Sequence, residues 1–396
     1  MSRIPLTEEL IGILTDSHAL TNLQLVHINE TTNDETDPIE ELFKNHNFPT
    51  DFNSKLKKNE ILITKQTLIK IFLECRTNIN QNRVLDLNEE YLTTMGTLLV
   101  TPEDHTIISR NEDVFLKMID QKSDNSTILL NNHLRTLAGF LDSNIARTNK
   151  SSNLWLYFQK TLIRSISKNM KNNIDVIVKL LDWSTDVLLE SIRNHPRNYY
   201  ALQTLKFVIC IMYSNLLQLS STNDDDALVR QKQLLVTTFE KLLEFMRRWN
   251  VNDPSIWGIL GLLFDSWSVS GYVYGTIDRI SHGVLLLKFS YSSPECDRYT
   301  LIKKWLTVGN GVATFYGWES LLKLAEYNGS REMLLKEFEA SFTKFEIDHC
   351  CRIDIECDSM IVDGSEVNLQ EDLILLEEFR LNLIKKKLVT RKLPIF

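Results

Sequence analysis

Length, composition and charge narrow the classes of protein to which this chain can belong. It has 396 residues, of which 43% are hydrophobic, and this is enough to bury a large core. The formal net charge is -8 at pH 7, so no basic stripe is available for a phosphate backbone, and we expect no nucleic acid as a primary partner. With only 13 glycines and 8 prolines the composition favours long helices, and the sequence predicts an all-α protein.

The sequence has no pattern typical of a secreted or membrane-spanning protein. Residues 1–5 lack the basic and then apolar pattern of a signal peptide, and the most apolar stretch, residues 205–219, is interrupted by Lys206. The six cysteines have no framework spacing, which is typical of reduced thiols. We therefore expect a cytoplasmic protein with no membrane span.

Three regions follow one another along the chain. Residues 1–60 are predicted to form a partly irregular N-terminal extension, because their acidic polar stretch is typical of a loop. Residues 61–345 have regular helical periodicity and are predicted to form helical hairpin repeats. Residues 346–396 are predicted to form a C-terminal loop and a capping helix.

The hairpins are marked by breaks that recur along the chain. At about five places a helical run is followed, after a break rich in proline or serine, by a helix that opens with an aromatic or large apolar residue; the spacing is about 45 to 60 residues. Proline suits the first turn of a helix, where its missing N–H has no partner. The pattern predicts a right-handed superhelical stack, a TPR-like crescent of about five to seven antiparallel helical hairpins.

The second helix of each hairpin resembles the repeat of protein prenyltransferase alpha subunits, roughly Asn-Tyr-x-x-Trp-x-x-Arg after a proline. Residues 196–202 match it best, with Asn198, Tyr199 and, at the tryptophan position, Leu202. The tryptophan positions of the other repeats hold Ile108, Trp155, Trp257 and Tyr316. Residues 98–103 and 150–155 are similar to the first two repeats of the type III geranylgeranyltransferase branch of this family. By this resemblance the chain is identified as a diverged fungal member of that branch. The arginines of the family repeat are replaced here by other residues.

The resemblance implies a non-autonomous alpha subunit of a heterodimeric protein geranylgeranyltransferase. Its partner would be a beta subunit of the Rab geranylgeranyltransferase type, which would hold the zinc, so that this chain would need no cofactor. The substrates would be an isoprenoid diphosphate and a membrane-traffic protein with a C-terminal cysteine, such as a SNARE.

The same resemblance implies two substrate-binding residues. Lys150 lies five residues before Trp155, where the family has its catalytic lysine, and an ammonium group could stabilise the charge on a departing diphosphate. Arg197, at the matching turn of the third repeat, could face the diphosphate or an acidic rim of the partner. The alternative for each is a solvated side chain at a helix start. Asn198 and Tyr199 are interpreted as structural, with the tyrosine ring buried.

No metal site is predicted. The cluster of His349 with Cys350, Cys351 and Cys357 lacks the Cys-x-x-Cys spacing of a zinc site, and the run 224–226 of aspartates is better explained as helix capping. The rival hypothesis for function is a non-catalytic helical-repeat scaffold for protein–protein interaction, and the missing arginines favour it.

Overall fold

The computed structural model describes residues 3–16, 22–26, 53–55, 60–81, 85–121, 125–169, 174–220, 225–249, 255–256, 259, 359–362 and 365–368. Most of these residues are helical, which confirms the predicted helical character. Two compact units divide the chain, one of Met1–Leu234 with Ser270–Phe289 and one of Leu235–Val269 with Ser290–Phe396. No helix in the described part of the chain is long and apolar enough to cross a bilayer.

The N-terminal region contains a packed helix and a small sheet that the sequence analysis did not place. Helix α1 spans Pro5–Asp16 and buries its apolar face at Leu10, Ile11 and Leu14. The sheet has strands β1 (Asn22–Val26), β2 (Asn53–Lys55) and β3 (Glu60–Thr64), in the order β1-β3-β2. β1 pairs parallel with β3, and β2 pairs antiparallel with β3. The described residues among 1–60 therefore contribute to the core of the first unit, while the three-region division of the chain stays a prediction.

Helix α2 (Lys65–Asn80) follows β3 directly and packs against α1. It begins there because the Thr64 hydroxyl accepts a hydrogen bond from the Thr67 backbone N–H at 3.1 Å, which caps the helix. Its Glu74 carboxylate accepts from the Thr7 hydroxyl at 3.3 Å and from the Thr7 backbone N–H at 3.4 Å, at the start of α1. A negative charge there is favoured by the helix dipole, so α1 and α2 are joined by electrostatics as well as by packing.

Helical hairpins follow along the chain. The helices are α3 (Leu87–Val100), α4 (His105–Gln121), α5 (Ser126–Leu141), the single turn α6 (Ala146–Asn149), α7 (Ser152–Asn169), α8 (Ile174–Asn194), α9 (Tyr199–Ser220) and α10 (Asp225–Trp249). Consecutive helices α3 and α4, and α8 and α9, pack against each other across short turns. In the second unit, β4 (Ser359–Val362) and β5 (Ser365–Asn368) pair antiparallel.

Polar contacts place the second helices of the hairpins, α4, α7 and α9, side by side. Tyr157 Oη of α7 donates to Asn111 Oδ1 of α4 at 2.8 Å, and Gln159 Nε2 of α7 donates to Thr204 Oγ1 of α9 at 2.8 Å. Asn111 occupies a position where the prenyltransferase repeat has arginine. Here its buried amide also donates to Thr94 Oγ1 at 2.7 Å, so a local polar network needs no arginine.

An aromatic cluster centred on His133 fills the core between α3, α4, α5 and α7. The imidazole stacks on Phe115 with ring centroids 4.0 Å apart and meets the edge of Tyr157 at 4.8 Å. Its Nδ1 forms a hydrogen bond with Tyr91 Oη at 2.9 Å. Burial lowers the pKa of His133 to about 3, so the ring is neutral at physiological pH.

We expect this histidine to make stability fall in mild acid. The unfolded chain takes up a proton near the ordinary histidine pKa of about 6.5, but the folded chain does not, so unfolding gains a proton below that pH. The free energy of unfolding should fall by about 1.4 kcal/mol per pH unit from His133 alone. His133→Phe should reduce this slope in denaturant titrations between about pH 6.5 and 5, with the exposed His105→Gln as the control. Equal slopes for the wild type and His133→Phe would contradict the assignment.

Two glycines offer a matched test of helix packing. A Cβ at Gly96 of α3 would lie 2.5 Å from Cys75 Sγ and 2.6 Å from Thr7 Cγ2, whereas a Cβ at Gly12 of α1 would meet nothing within 4 Å. Gly96→Ala should destabilise by about 1–3 kcal/mol because it overpacks the α1–α2–α3 junction. Gly12→Ala should be neutral or stabilise by about 0.5–1 kcal/mol, because alanine favours the helix. Urea denaturation of both variants checks this, and a Gly96→Ala midpoint at or above that of Gly12→Ala would refute the packing argument.

Candidate functional site

Three turns, each preceding one of the helices α4, α7 and α9, lie next to one another; we call residues 101–104, 143–151 and 195–198 the turn edge. Ser151 Oγ donates to the Pro102 carbonyl at 3.1 Å, which joins the first turn to the second. Asn198 Nδ2 donates to the Asn149 carbonyl at 3.0 Å, which joins the second to the third. The break residues of successive hairpins therefore meet along one edge of the first unit.

Asn149 is the centre of this arrangement. Its buried side-chain amide donates to the Leu141 carbonyl at 2.6 Å and to Ser191 Oγ at 2.9 Å, while its Oδ1 accepts from Asn198 Nδ2 at 2.5 Å. The Asn149 carbonyl also accepts from Trp155 Nε1 at 2.7 Å. One asparagine thus satisfies groups from α5, α7, α8 and the turn before α9, and such a fully bonded buried network has a single geometry.

The tryptophan positions of the repeat are core positions where the structure describes them. Trp155 and Leu202 are buried, and Ile108 is half-buried. Trp257 and Tyr316 lie outside the described residues.

The turn edge brings Lys150 and Arg197 together. Each is exposed, and each directly adjoins one member of the hydrogen-bonded pair Asn149 and Asn198. Arg197 has φ 62°, a left-handed conformation that is uncommon for a residue other than glycine. The catalytic role expected for Lys150, and the substrate contacts expected for both residues, stay predictions that no contact in the structure tests.

The pKa of His195 is affected by the charge in the same turn. Its pKa is lowered, first by burial and then by the neighbouring Lys150 ammonium. Beneath the surface, burial raises the pKa of the Asp142 carboxyl well above its usual range, and the nearby Glu190 raises it further. Asp142 is therefore driven toward its neutral form.

Tyr199 does not bury its ring, contrary to the expectation from the repeat. It is 64% exposed and its neighbour Tyr200 is 40% exposed, with ring centroids 5.7 Å apart at an interplanar angle of 81°. The reason is helical geometry, because α9 buries the next two residues, Ala201 and Leu202, and these set the inward face.

The sequence analysis also missed Arg147, which lies exposed on α6 two residues before Asn149. No group of three histidine, cysteine or acidic side chains suited to a metal ion occurs in the described ranges. The cluster at 349–357 lies outside those ranges, and of the aspartate run only Asp225 and Asp226 are described, at the start of α10.

Comparison with known proteins finds two domains of one family in order along the chain. Residues 1–142 match the ECM9 N-terminal domain and residues 154–280 match the ECM9 middle domain. Protein ECM9 of Saccharomyces cerevisiae (strain ATCC 204508 / S288c) is 30% identical over 173 residues, which cover 41% of this chain and 42% of that protein. These matches point to the ECM9 family, and the aligned stretch spans less than half of the yeast relative. The turn edge includes the stretch between the two matched domains.

The matches correct the functional prediction from sequence. The interpretation as a prenyltransferase alpha subunit is wrong, because the domains matched are those of ECM9. The expected beta subunit, isoprenoid diphosphate and C-terminal-cysteine substrate lose their basis with it. The ECM9 assignment carries no enzymatic activity with it. The cytoplasmic location and the lack of a cofactor in this chain stay predictions.

We expect the turn edge to depend on Asn149 for stability. Asn149→Ala would remove the buried amide that donates to the Leu141 and Ser143 carbonyls, at about 1–3 kcal/mol for each group left unsatisfied, while Asn198 would keep its bonds to the residue 149 carbonyl and to Ser191 Oγ. Asn153→Ala is the matched control, since its amide binds the Glu103 carboxylate in an exposed position. Thermal unfolding should show a large loss for the first variant and a small loss for the second. Similar midpoints would mean that the turns are held by apolar packing alone.

Proposed function

We propose that this protein is a non-catalytic helical-repeat scaffold, in which the hairpins stack into a superhelical array and the turn edge binds a protein partner. The observation that supports this most directly is the exposed Tyr199 and Tyr200 pair at the start of α9. Tyrosine and arginine are enriched in the residues that dominate binding energy at protein interfaces, and Arg197 lies two residues before Tyr199 in this turn. Large aromatic rings exposed next to each other are costly to leave in water and are explained by an interface.

The rigidity of the edge supports the same function. A binding surface loses less entropy when its residues are fixed before the partner arrives. The Asn149 and Asn198 network fixes the turn from which both tyrosines emerge, and Trp155, which donates to Asn149, anchors the network in the core. Helical-repeat arrays use extended surfaces of this kind for partners.

A site-specific photo-crosslink tests the proposal. Benzoylphenylalanine at position 199 should form an adduct with one protein in an extract of the source cells, whereas the same residue at position 229 should not. Val229 is 63% exposed, so this control matches Tyr199 in accessibility. The adduct partner is then identified by mass spectrometry and purified.

The purified partner allows a quantitative check. The double variant Tyr199→Ser with Tyr200→Ser should weaken its binding by about tenfold or more, because interface tyrosines are common hot spots. Ile128→Ser, at another exposed apolar side chain, should change binding by less than about twofold. The proposal fails if position 199 gives no adduct beyond that at position 229, or if both variants bind like the wild type.

A further inference from the structure

The turn edge has a local charge that differs from that of the whole chain. Arg147, Lys150 and Arg197 are exposed there, and Lys150 and Arg197 lie on either side of the hydrogen bond between Asn149 and Asn198. None of the three has a carboxylate partner within the described segments. The protein as a whole carries a formal net charge of -8, so this cationic group is not a consequence of composition.

Three cations elsewhere in the same layer of helices pair with carboxylates of the protein itself. Arg110 binds Glu90 at 2.6 Å, and Glu112 accepts from both Lys160 at 2.9 Å and Arg164 at 2.6 Å. These two pairings hold the pKa of Glu112 below its usual range, even though its burial acts the other way. These three cations are therefore paired, whereas Arg147, Lys150 and Arg197 at the edge have no carboxylate partner among the described residues.

The carboxylates near the edge make other contacts or are buried; Asp104, exposed in the first turn, accepts from the Thr106 backbone N–H at 3.0 Å and so caps α4. Glu190 pairs with Arg193, and Glu103 accepts from Asn153 Nδ2 at 2.6 Å and from Ser152 Oγ at 3.2 Å. Asp142 is buried. Within the described part of the chain, Arg147, Lys150 and Arg197 thus have no carboxylate partner, and they lie in the same turns as two exposed tyrosine rings.

We propose that the turn edge binds an acidic segment of the partner protein, with carboxylates on Arg147, Lys150 and Arg197 and an apolar or aromatic side chain on Tyr199 and Tyr200. This inference rests on the proposed scaffold function and adds the chemistry of the partner. The guanidinium of Arg197 presents a planar fork that matches a carboxylate, and Lys150 presents a point charge. Clusters that bind an anionic membrane surface typically contain roughly four to eight lysines and arginines. The turn edge presents three such cations, so a protein segment is favoured over a bilayer.

The experiment maps the segment bound at the edge and then reverses the charges. The adduct formed through position 199 is digested, the attached segment is sequenced, and the same segment is synthesised as a labelled peptide for binding to the full-length protein. The inference expects an acidic segment whose affinity falls as salt rises from about 50 to 200 mM. Arg197→Glu and Lys150→Glu should each weaken binding by about tenfold, and Lys117→Glu, at an exposed lysine of α4, should change it by less than about twofold.

A complementary peptide tests whether the charges act directly. A peptide in which lysine replaces the acidic residues should bind poorly to the wild type and should recover affinity for the Arg197→Glu variant. A merely structural role of Arg197 would not produce this recovery, so its absence overturns the inference. Circular dichroism of each variant confirms that the helices are intact.

The other outcomes are separable. An adduct with a segment that is not acidic overturns the inference and leaves the scaffold function standing. Loss of binding after phosphatase treatment of the partner would show that the bound segment is phosphorylated. An adduct within the chain, for example with its acidic residues 30–41, would show that the chain itself occupies the turn edge. Either result overturns the acidic partner segment. No adduct at all overturns both the inference and the scaffold function.

Discussion

The hydrogen bonds between Asn149 and Asn198 are the interaction on which the turn edge depends. Both side chains are buried, and a buried amide is costly unless its donors and acceptors are satisfied. The two turns must therefore approach within hydrogen-bonding distance and keep that register, and the starts of α7 and α9 follow from it. Trp155 extends the constraint into the core, because its indole N–H donates to the same Asn149 carbonyl.

Further polar contacts give the layer of second helices its register along the helix axes. Apolar side chains tolerate sliding and repacking, whereas a hydrogen bond between two buried side chains is satisfied at one offset only. Tyr157 with Asn111 fixes α7 on α4, and Gln159 with Thr204 fixes α9 on α7. The core thus tolerates repacking of its apolar side chains, whereas a few specific polar contacts fix the helix register. These contacts determine which residues are exposed at the turn edge.

The sequence predicted the helices well and the site only in part, for physical reasons. Helix bounds follow from apolar periodicity and from break residues, which are local signals, although Pro102 and Pro196 lie in the turns before α4 and α9 and not in their first helical turns as expected. The packing of α1 and the hydrogen bonds of Asn149 join residues far apart in sequence, such as Thr7 with Glu74 and Asn149 with Ser191, so no local pattern reveals them. The prenyltransferase resemblance failed because its signature is also generic. A large residue such as Trp155 or Leu202 in the second helix fills the core of any helical hairpin, so an in-phase series of such residues indicates the architecture and not the family.

Net charge is likewise a poor guide to what this surface binds. A formal charge of -8 sums over the whole chain, but solvent screens exposed charges beyond about 8–10 Å, so a partner at the turn edge responds to the charges of that edge. Arg147, Lys150 and Arg197 are exposed and have no carboxylate partner among the described residues, while the network that holds their turns is buried. Replacing an exposed cation alters the local field and leaves the Asn149 and Asn198 hydrogen bonds in place. The fold and the recognition chemistry therefore reside in different residues of the same turns, so surface charge at this edge can change the partner without changing the architecture that presents it.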